Sequence, residues 1–120
     1  MLVLNRRLND VVYIGRNIRP DDLVGSCDWA IKATSVIDSF DRPRVYADVW
    51  DKEDWRLVQF SPQSPSIKLD ETTVRVLSVK HVMWGSTEEP VIYFGFDAPK
   101  EIKIVREHMK KPSSILKIFF

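Results

Sequence analysis

The sequence predicts a mainly β protein with antiparallel strands. Short runs rich in β-branched and aromatic residues recur along the chain, as at residues 45–50 and 55–60. Turn-forming residues separate these runs, for example the acidic segment 51–54 and the pair Gly85 and Ser86. Runs of this kind bounded by turn residues are typical of strands. The 120 residues suffice for one ordinary domain, or for two very small units that share a core.

The chain opens with two predicted strands. Residues 2–4 and 11–14 are apolar and β-rich, and the polar segment 5–10 between them is predicted to turn the chain. Residues 16–28 contain proline, glycine and paired aspartates, which interrupt any strand pattern. We therefore expect a connector there, with one helical turn.

Residues 29–37 fit two patterns. Trp29 and Ala33 begin a stripe with helical spacing, whereas Ile31 and Val36 are β-branched and favour a strand. We prefer the strand, because this segment also takes part in an internal repeat described below.

The second half begins after a linker. Residues 61–66 hold two prolines among serines and a glutamine, which indicates a boundary. The strands predicted after it are residues 67–69, 73–80, 91–96 and 101–105. Residues 106–111 are predicted to form a short helix near the C-terminus, which Pro112 stops. The apolar tail 115–120 is expected to pack or to pair as a final strand.

Composition excludes several classes of protein. No apolar run approaches the roughly 18 residues of a membrane helix, and the opening residues lack the pattern of a secretory signal. We therefore expect a soluble protein of the reducing cytoplasm. Cys27 is the single cysteine and is predicted to be a buried or idle thiol. With only His81 and His108 beside it, neither a metal nor another cofactor is expected.

Catalysis has little support in the sequence. The paired carboxylates at residues 21–22, 51–54 and 88–89 lie in turn-like segments without a matched nucleophile or a phosphate-binding glycine loop. Solvated turns explain them better, so the chain is predicted not to be an enzyme. The formal net charge of +1 also argues against bulk attraction to nucleic acid, so any RNA recognition must be local.

Two separated segments carry a more specific pattern. The chain begins with MLVLNRRLNDVVYIG, and its second half contains LDETTVRVLSVK followed by VIYFGFDAPKEIKIVREHM. The most specific part is the block at residues 98–101 followed by residues 105–107. Together these segments resemble the CsrA/RsmA (carbon storage regulator) family of bacterial post-transcriptional regulators.

The resemblance implies both a fold and a function. Subunits of that family have five short strands and a helix, and two subunits interlace so that the first strand of one lies beside the fifth of the other. Each junction binds a GGA core in a hairpin loop of a messenger or small RNA, and so represses or stabilises the message. Carried onto this chain, the implied RNA-binding residues are Leu4, Arg6, Arg7, Ile104, Val105, Arg106 and Glu107.

The chemistry of these residues agrees with the resemblance. Guanidinium groups offer paired donors to guanine O6 and N7 or to phosphate, and the edge of a strand can bind unpaired bases through its backbone. Taken alone, Arg6 and Arg7 would more simply be a solvated strand face. The second segment reverses that preference, provided that Arg6 and Arg106 reach one shared face.

The chain departs from the family in its length. More than fifty residues separate Gly15 from Asp70, where family members run on directly. An inserted domain would explain this, but residues 31–36 align with 74–79, and residues 43–60 align with 90–107. We therefore favour a tandem repeat.

The predicted architecture is a single-chain pseudo-dimer of two CsrA-like units with intertwined antiparallel strands. Residues 1–61 form unit one, with a complete opening strand and a degenerate last strand. Residues 62–120 form unit two, with no clear opening strand and an intact last strand. In this alignment Gln59 stands where unit two has Arg106. One intact RNA site is therefore expected, in a monomer rather than an obligate homodimer.

A competing hypothesis is a degenerate CsrA-like module that binds a protein or modulates regulation without repressing translation itself. Trp29, Trp50, Trp55 and Trp84 would supply its interface if they were exposed. Core filling is favoured for the first three. Residues 81–89 are predicted to be a long loop, in which Trp84 either stacks on a base or packs on its own scaffold. The target messages, and any antagonist protein or RNA, are left open by the sequence.

Overall fold

Ten strands and one short helix make up the structure, a computed structural model that describes residues 1–37, 43–108 and 115–119, the side chains of 107, 108 and 115–119 excepted. The elements are β1 (Leu2–Arg7), β2 (Val12–Gly15), α1 (Leu23–Ser26), β3 (Trp29–Ile37), β4 (Arg44–Trp50), β5 (Trp55–Phe60), β6 (Ser66–Leu69), β7 (Thr72–Trp84), β8 (Thr87–Asp97), β9 (Lys103–His108) and β10 (Ile115–Phe119).

The strands form two antiparallel sheets. Sheet A has four strands in the order β1-β8-β7-β6, and sheet B has six in the order β10-β9-β2-β3-β4-β5. Each sheet takes strands from both ends of the chain, since β1 joins the late strands β6–β8 while β9 and β10 join the early strands β2–β5. The two halves of the chain are therefore interlocked, and the predicted mainly β class is confirmed.

The main core lies between the two sheets. Strand alternation turns every second side chain towards it, so that Leu4, Phe60, Phe94 and Phe96 are almost wholly buried there. The ring of Phe94 lies 6.1 Å from that of Phe60 and 6.1 Å from that of Phe96. A smaller cluster on the opposite side of sheet B packs the connector against the sheet, and its buried members are Tyr13, Cys27, Ala30 and Val105.

Two hairpins repeat the same irregularity. The pairing of β3 with β4 shifts register between Ala33 and Ser35, and that of β7 with β8 shifts between Val76 and Ser78. Ala33 lies opposite Ala47, as Val76 lies opposite Phe94. These positions agree with the alignment made from the sequence for β3 over β7 and for β4 over β8.

Strand β5 has a different counterpart from the one the sequence alignment gave it. It pairs with β4, placing Val58 opposite Ala47, as β1 pairs with β8 and places Leu4 opposite Phe94. Strand β9 pairs instead with β2 and β10. The pairing of β5 with β4 therefore corresponds to the pairing of β1 with β8. The sequence alignment did not show this, because similarity between short strands does not determine which neighbour each strand pairs with.

Several single elements also bear on the predictions. Residues 29–37 form a strand, and the tail pairs with β9 as a final strand, both as predicted. The prediction of a short C-terminal helix is wrong for residues 106–108. These residues continue β9, because they pair with β10. Residues 109–111 lie outside the described residues. Residues 81–89 are not a long loop, since β7 and β8 extend through them to a tight turn at Gly85, whose φ is 63°.

Within the described part of the chain, no helix has the length and apolar character that crossing a membrane requires.

Cys27 is buried, as its lone occurrence suggested, with no exposed surface. Burial raises the pKa of its thiol, so the reactive thiolate is scarce at neutral pH. We expect iodoacetamide to alkylate the folded protein far more slowly than the protein in denaturant, with mass spectrometry following the adduct. Equal rates at the same pH would show that the connector over sheet B does not protect the thiol.

Candidate nucleic-acid interface

The side chains of Arg6 and Arg7 point to opposite faces of β1. Leu4 and Arg6 turn towards the layer between the sheets, with 3% and 8% of their surfaces exposed. Asn5 and Arg7 turn outwards, as strand alternation requires. The sequence predicted both arginines as RNA ligands without separating their environments.

Arg6 lies at the end of the inter-sheet layer beside the turn after β1. Its Nε donates to the carbonyl oxygen of Asn5 at 2.7 Å, and its Nη1 lies 3.9 Å from Oδ2 of Asp10. Burial lowers the pKa of Arg6, the Asp10 carboxylate opposes that effect, and the charge of Arg106 lowers the pKa further. The Arg106 guanidinium is therefore within electrostatic reach of Arg6.

Arg106 reaches this place from β9. It pairs with Val12 of β2 and lies on the same face of the strand as Ile104, which belongs to the core between the sheets. Its neighbour Val105 faces the other way, into the small cluster with Tyr13. The side chain of Arg106 is half-buried. The structure thus brings together two arginines from opposite ends of the chain.

The strands that carry Arg6 and Arg106 are not arranged as the family resemblance implies. The resemblance implies that the first and last strands lie edge to edge, but β1 and β9 belong to different sheets and do not pair. Arg6 and Arg106 instead both face the layer between the sheets, one from sheet A and the other from sheet B. Strand β1 cannot pair with β9, because β2 is bonded to one edge of β9 and β10 to the other.

The other residues predicted to bind RNA differ in whether their side chains or their backbone are accessible. The side chains of Leu4, Ile104 and Val105 are buried, so any contact with a ligand has to come from their backbone. The outer edge of β1 has no paired strand among the described residues, whereas β9 lies between β2 and β10. Glu107 pairs with Leu116 through the backbone, and its side chain lies outside the described part of the chain.

Arg7 is held against the long hairpin of β7 and β8. Its Nε donates to Oε2 of Glu89 at 2.7 Å, and its guanidinium carbon lies 4.9 Å from the centre of the Trp84 ring. Trp84 still exposes 43% of its surface. Neither partner of Arg7 was identified from the sequence, although the β-branched and aromatic residues Val79, Val82 and Trp84 favour a strand that continues through this segment.

The arrangement favours a ligand rich in oxygen acceptors. Two guanidinium groups within electrostatic reach of each other and partly removed from water repel each other. A carbonyl or phosphate oxygen that contacts both would relieve this repulsion and accept paired N–H donors. The site therefore suits guanine or phosphate better than a cation.

Two of the carboxylates considered for catalysis, Asp22 and Asp51, hold turns of the chain. Asp51 accepts hydrogen bonds from the backbone N–H groups of Glu53 and Asp54, each at 3.0 Å, and these lower the pKa of Asp51. Asp22 accepts from the backbone N–H of Gly25 and so caps α1. These contacts fix turns, which is the role the sequence favoured, whereas Glu88 and Glu89 lie in strand β8 and not in a turn.

Comparison of the chain with protein-family models, with curated proteins and with solved structures found no match.

Proposed function

We propose that this chain is an RNA-binding post-transcriptional regulator that binds GGA-containing loops of messenger or small RNA through one site. The site consists of the open edge of β1 together with Arg6 and Arg106. The observation that carries the proposal is that these two arginines, from strands near opposite ends of the chain, both face the layer between the sheets and lie within electrostatic reach of each other. Paired guanidinium groups beside an open strand edge match the acceptors of an unpaired guanine and its phosphate.

The interlocked halves support the proposed single-chain pseudo-dimer. In the CsrA/RsmA family two subunits interlace, and here the early strand β1 completes a sheet of late strands while β9 completes a sheet of early ones. The boundary at residue 61 stays a prediction. The pairing of β5 as a second β1 offers another place for it, just before Trp55, which would give unit two an opening strand.

The correspondence between the β4–β5 pair and the β8–β1 pair also supports a single RNA site. Arg6 lies opposite Ile92, and in the repeated hairpin Phe60 lies opposite Val45, so Phe60 takes the place of Arg6. The pseudo-equivalent junction thus has a buried aromatic ring where the first has a cation. It also lacks a counterpart of β9, because β6 ends sheet A among the described residues.

Binding at a loop that overlaps a ribosome-binding site would compete with the ribosome for the message. Local recognition by a few donors suits a protein with a formal net charge of +1, which attracts nucleic acid weakly in bulk. The proposal therefore requires preference for the loop sequence rather than for RNA in general.

A titration of the pure protein tests this function. We expect a GGA-loop hairpin to bind with one RNA per chain, and sedimentation to report a monomer both free and bound. A hairpin with the same stem and a scrambled loop is the matched control. Equal affinity for the two hairpins would refute the proposal, and an obligate dimer with two sites would refute its single-chain form.

A protein-interaction module is the second candidate function. Trp55 and Leu57 lie on β5, the edge strand of sheet B, and expose 39% and 67% of their surfaces. Core filling is therefore wrong for Trp55, whereas Trp29 and Trp50 are half-buried. Exposed apolar side chains on a sheet edge are typical of sites where another strand is added.

A further inference from the structure

The side of sheet A that faces away from the core carries aromatic and basic side chains. Alternation along the strands places Asn5 and Arg7 of β1, Tyr93 of β8, and Lys80 and Trp84 of β7 on this side. We call it the outer face of sheet A. The open edge of β1 separates this face from the proposed RNA site, since the adjacent residues Arg6 and Arg7 lie on the two faces of that edge strand.

Both aromatic rings of this face lie beside a cation. The Lys80 ammonium is 5.1 Å from the centre of the Tyr93 ring, and the Arg7 guanidinium is 4.9 Å from that of Trp84. Tyr93 lies beside Ser78, and the strand from Ser78 to Trp84 spans roughly 20 Å. An extended chain of several nucleotides can therefore contact both rings.

The charge of the face is positive. Its carboxylates are Glu89, which pairs with Arg7, and Asp97, which lies 3.7 Å from the terminal amine. Besides Arg7 and the terminal amine, the same face carries three exposed cations, Lys68, Arg75 and Lys80. For a chain of net charge +1 this is a local concentration of positive charge, and it complements a phosphate backbone.

We propose that the outer face of sheet A binds the single-stranded RNA that flanks the hairpin held at Arg6 and Arg106. Unpaired bases stack on Trp84 and Tyr93, and phosphates lie against Lys80 and Arg75. This inference rests on the proposed function and extends its site from the loop to the flanking nucleotides. Sequence plays little part in such stacking, since every base has an aromatic face.

The test compares two RNAs that differ only in a single-stranded extension. One is the GGA-loop hairpin with a blunt stem, and the other carries an oligouridine tail. We expect the tail to increase affinity on the order of tenfold, the scale of base stacking on one aromatic side chain. In Trp84→Ala the ratio of the two affinities should fall close to one, and Lys80→Ser should lower both the ratio and its salt dependence.

Trp55→Ala is the matched control for the tail. Trp55 is similarly exposed and also lies beside a cation, with the Lys32 ammonium 4.6 Å from its ring centre, but it belongs to sheet B. The affinity ratio should be the same in this variant as in the unmodified protein. Thermal unfolding of each variant shows whether the fold is kept.

The two proposals fail in different ways. If the tail adds no affinity, or if its effect survives Trp84→Ala, the outer face is not an RNA surface even when the loop binds. If free oligouridine binds in a Trp84-dependent manner while the loop sequence has no effect, the outer face stands and the proposed loop site fails. Concentration-dependent dimers blocked by Trp84→Ala would show that a second copy of the chain covers this face, which would overturn the proposal.

Discussion

Replacing Arg106 with alanine is expected to reduce affinity for a GGA-loop hairpin by about 5- to 150-fold, which corresponds to the ~1–3 kcal/mol of a paired arginine–guanine contact. Arg106 contributes one of the two guanidinium groups that face the layer between the sheets within electrostatic reach of each other. Its loss leaves Arg6 alone, with its charge partly offset by Asp10. Fluorescence anisotropy with a labelled hairpin measures the change.

Two further variants separate recognition from charge and from folding. Arg106→Lys keeps the positive charge but loses the planar fork, so it should recover little of the lost affinity. Arg44→Ala removes an exposed arginine from β4, away from the site, and should bind as the unmodified protein does. If Arg106→Ala binds the hairpin with unchanged affinity while remaining folded, the proposed site is wrong.

Replacing Phe94 with alanine is expected to destabilise the fold by about 3–5 kcal/mol. Phe94 is 1% exposed and lies between the rings of Phe60 in sheet B and Phe96 in sheet A. Removing the ring opens a cavity at the contact between the two sheets, which the rigid strands around it cannot close. A loss of this size is a large part of the stability of a small domain.

Urea unfolding followed by tryptophan fluorescence measures this loss. Leu57→Ala is the control, because Leu57 exposes 67% of its surface on the edge strand β5. Its effect should stay within about 0.5 kcal/mol. Comparable effects of the two substitutions would show that the contact between the sheets is not the centre of stability.

Local pattern predicted much of the fold. The sequence indicated strands near most of their positions, chose a strand over a helix for residues 29–37, and gave a final strand as one of two possibilities for the tail. It also indicated a buried Cys27. These features follow from side-chain periodicity, turn residues and burial preference, which act over a few neighbouring positions.

Strand partners could not be predicted in the same way. The sequence aligned β5 with β9, whereas β5 occupies the place of β1 beside a repeated hairpin. It treated residues 81–89 as a loop, although they extend β7 and β8 to form the support for Arg7. Pairing depends on which distant segment completes a ladder and buries an apolar face, and short β-rich segments differ too little in composition to specify it.

By itself the sequence determined that this chain is mainly β, and it led to the prediction that arginines near its two ends form an RNA site. Only the tertiary structure decided that Arg6 turns inwards, to the layer that Arg106 also faces, while Arg7 turns outwards to Trp84. The physical reason is that alternation along one strand separates neighbouring residues, whereas contact between distant residues depends on how the two sheets pack together.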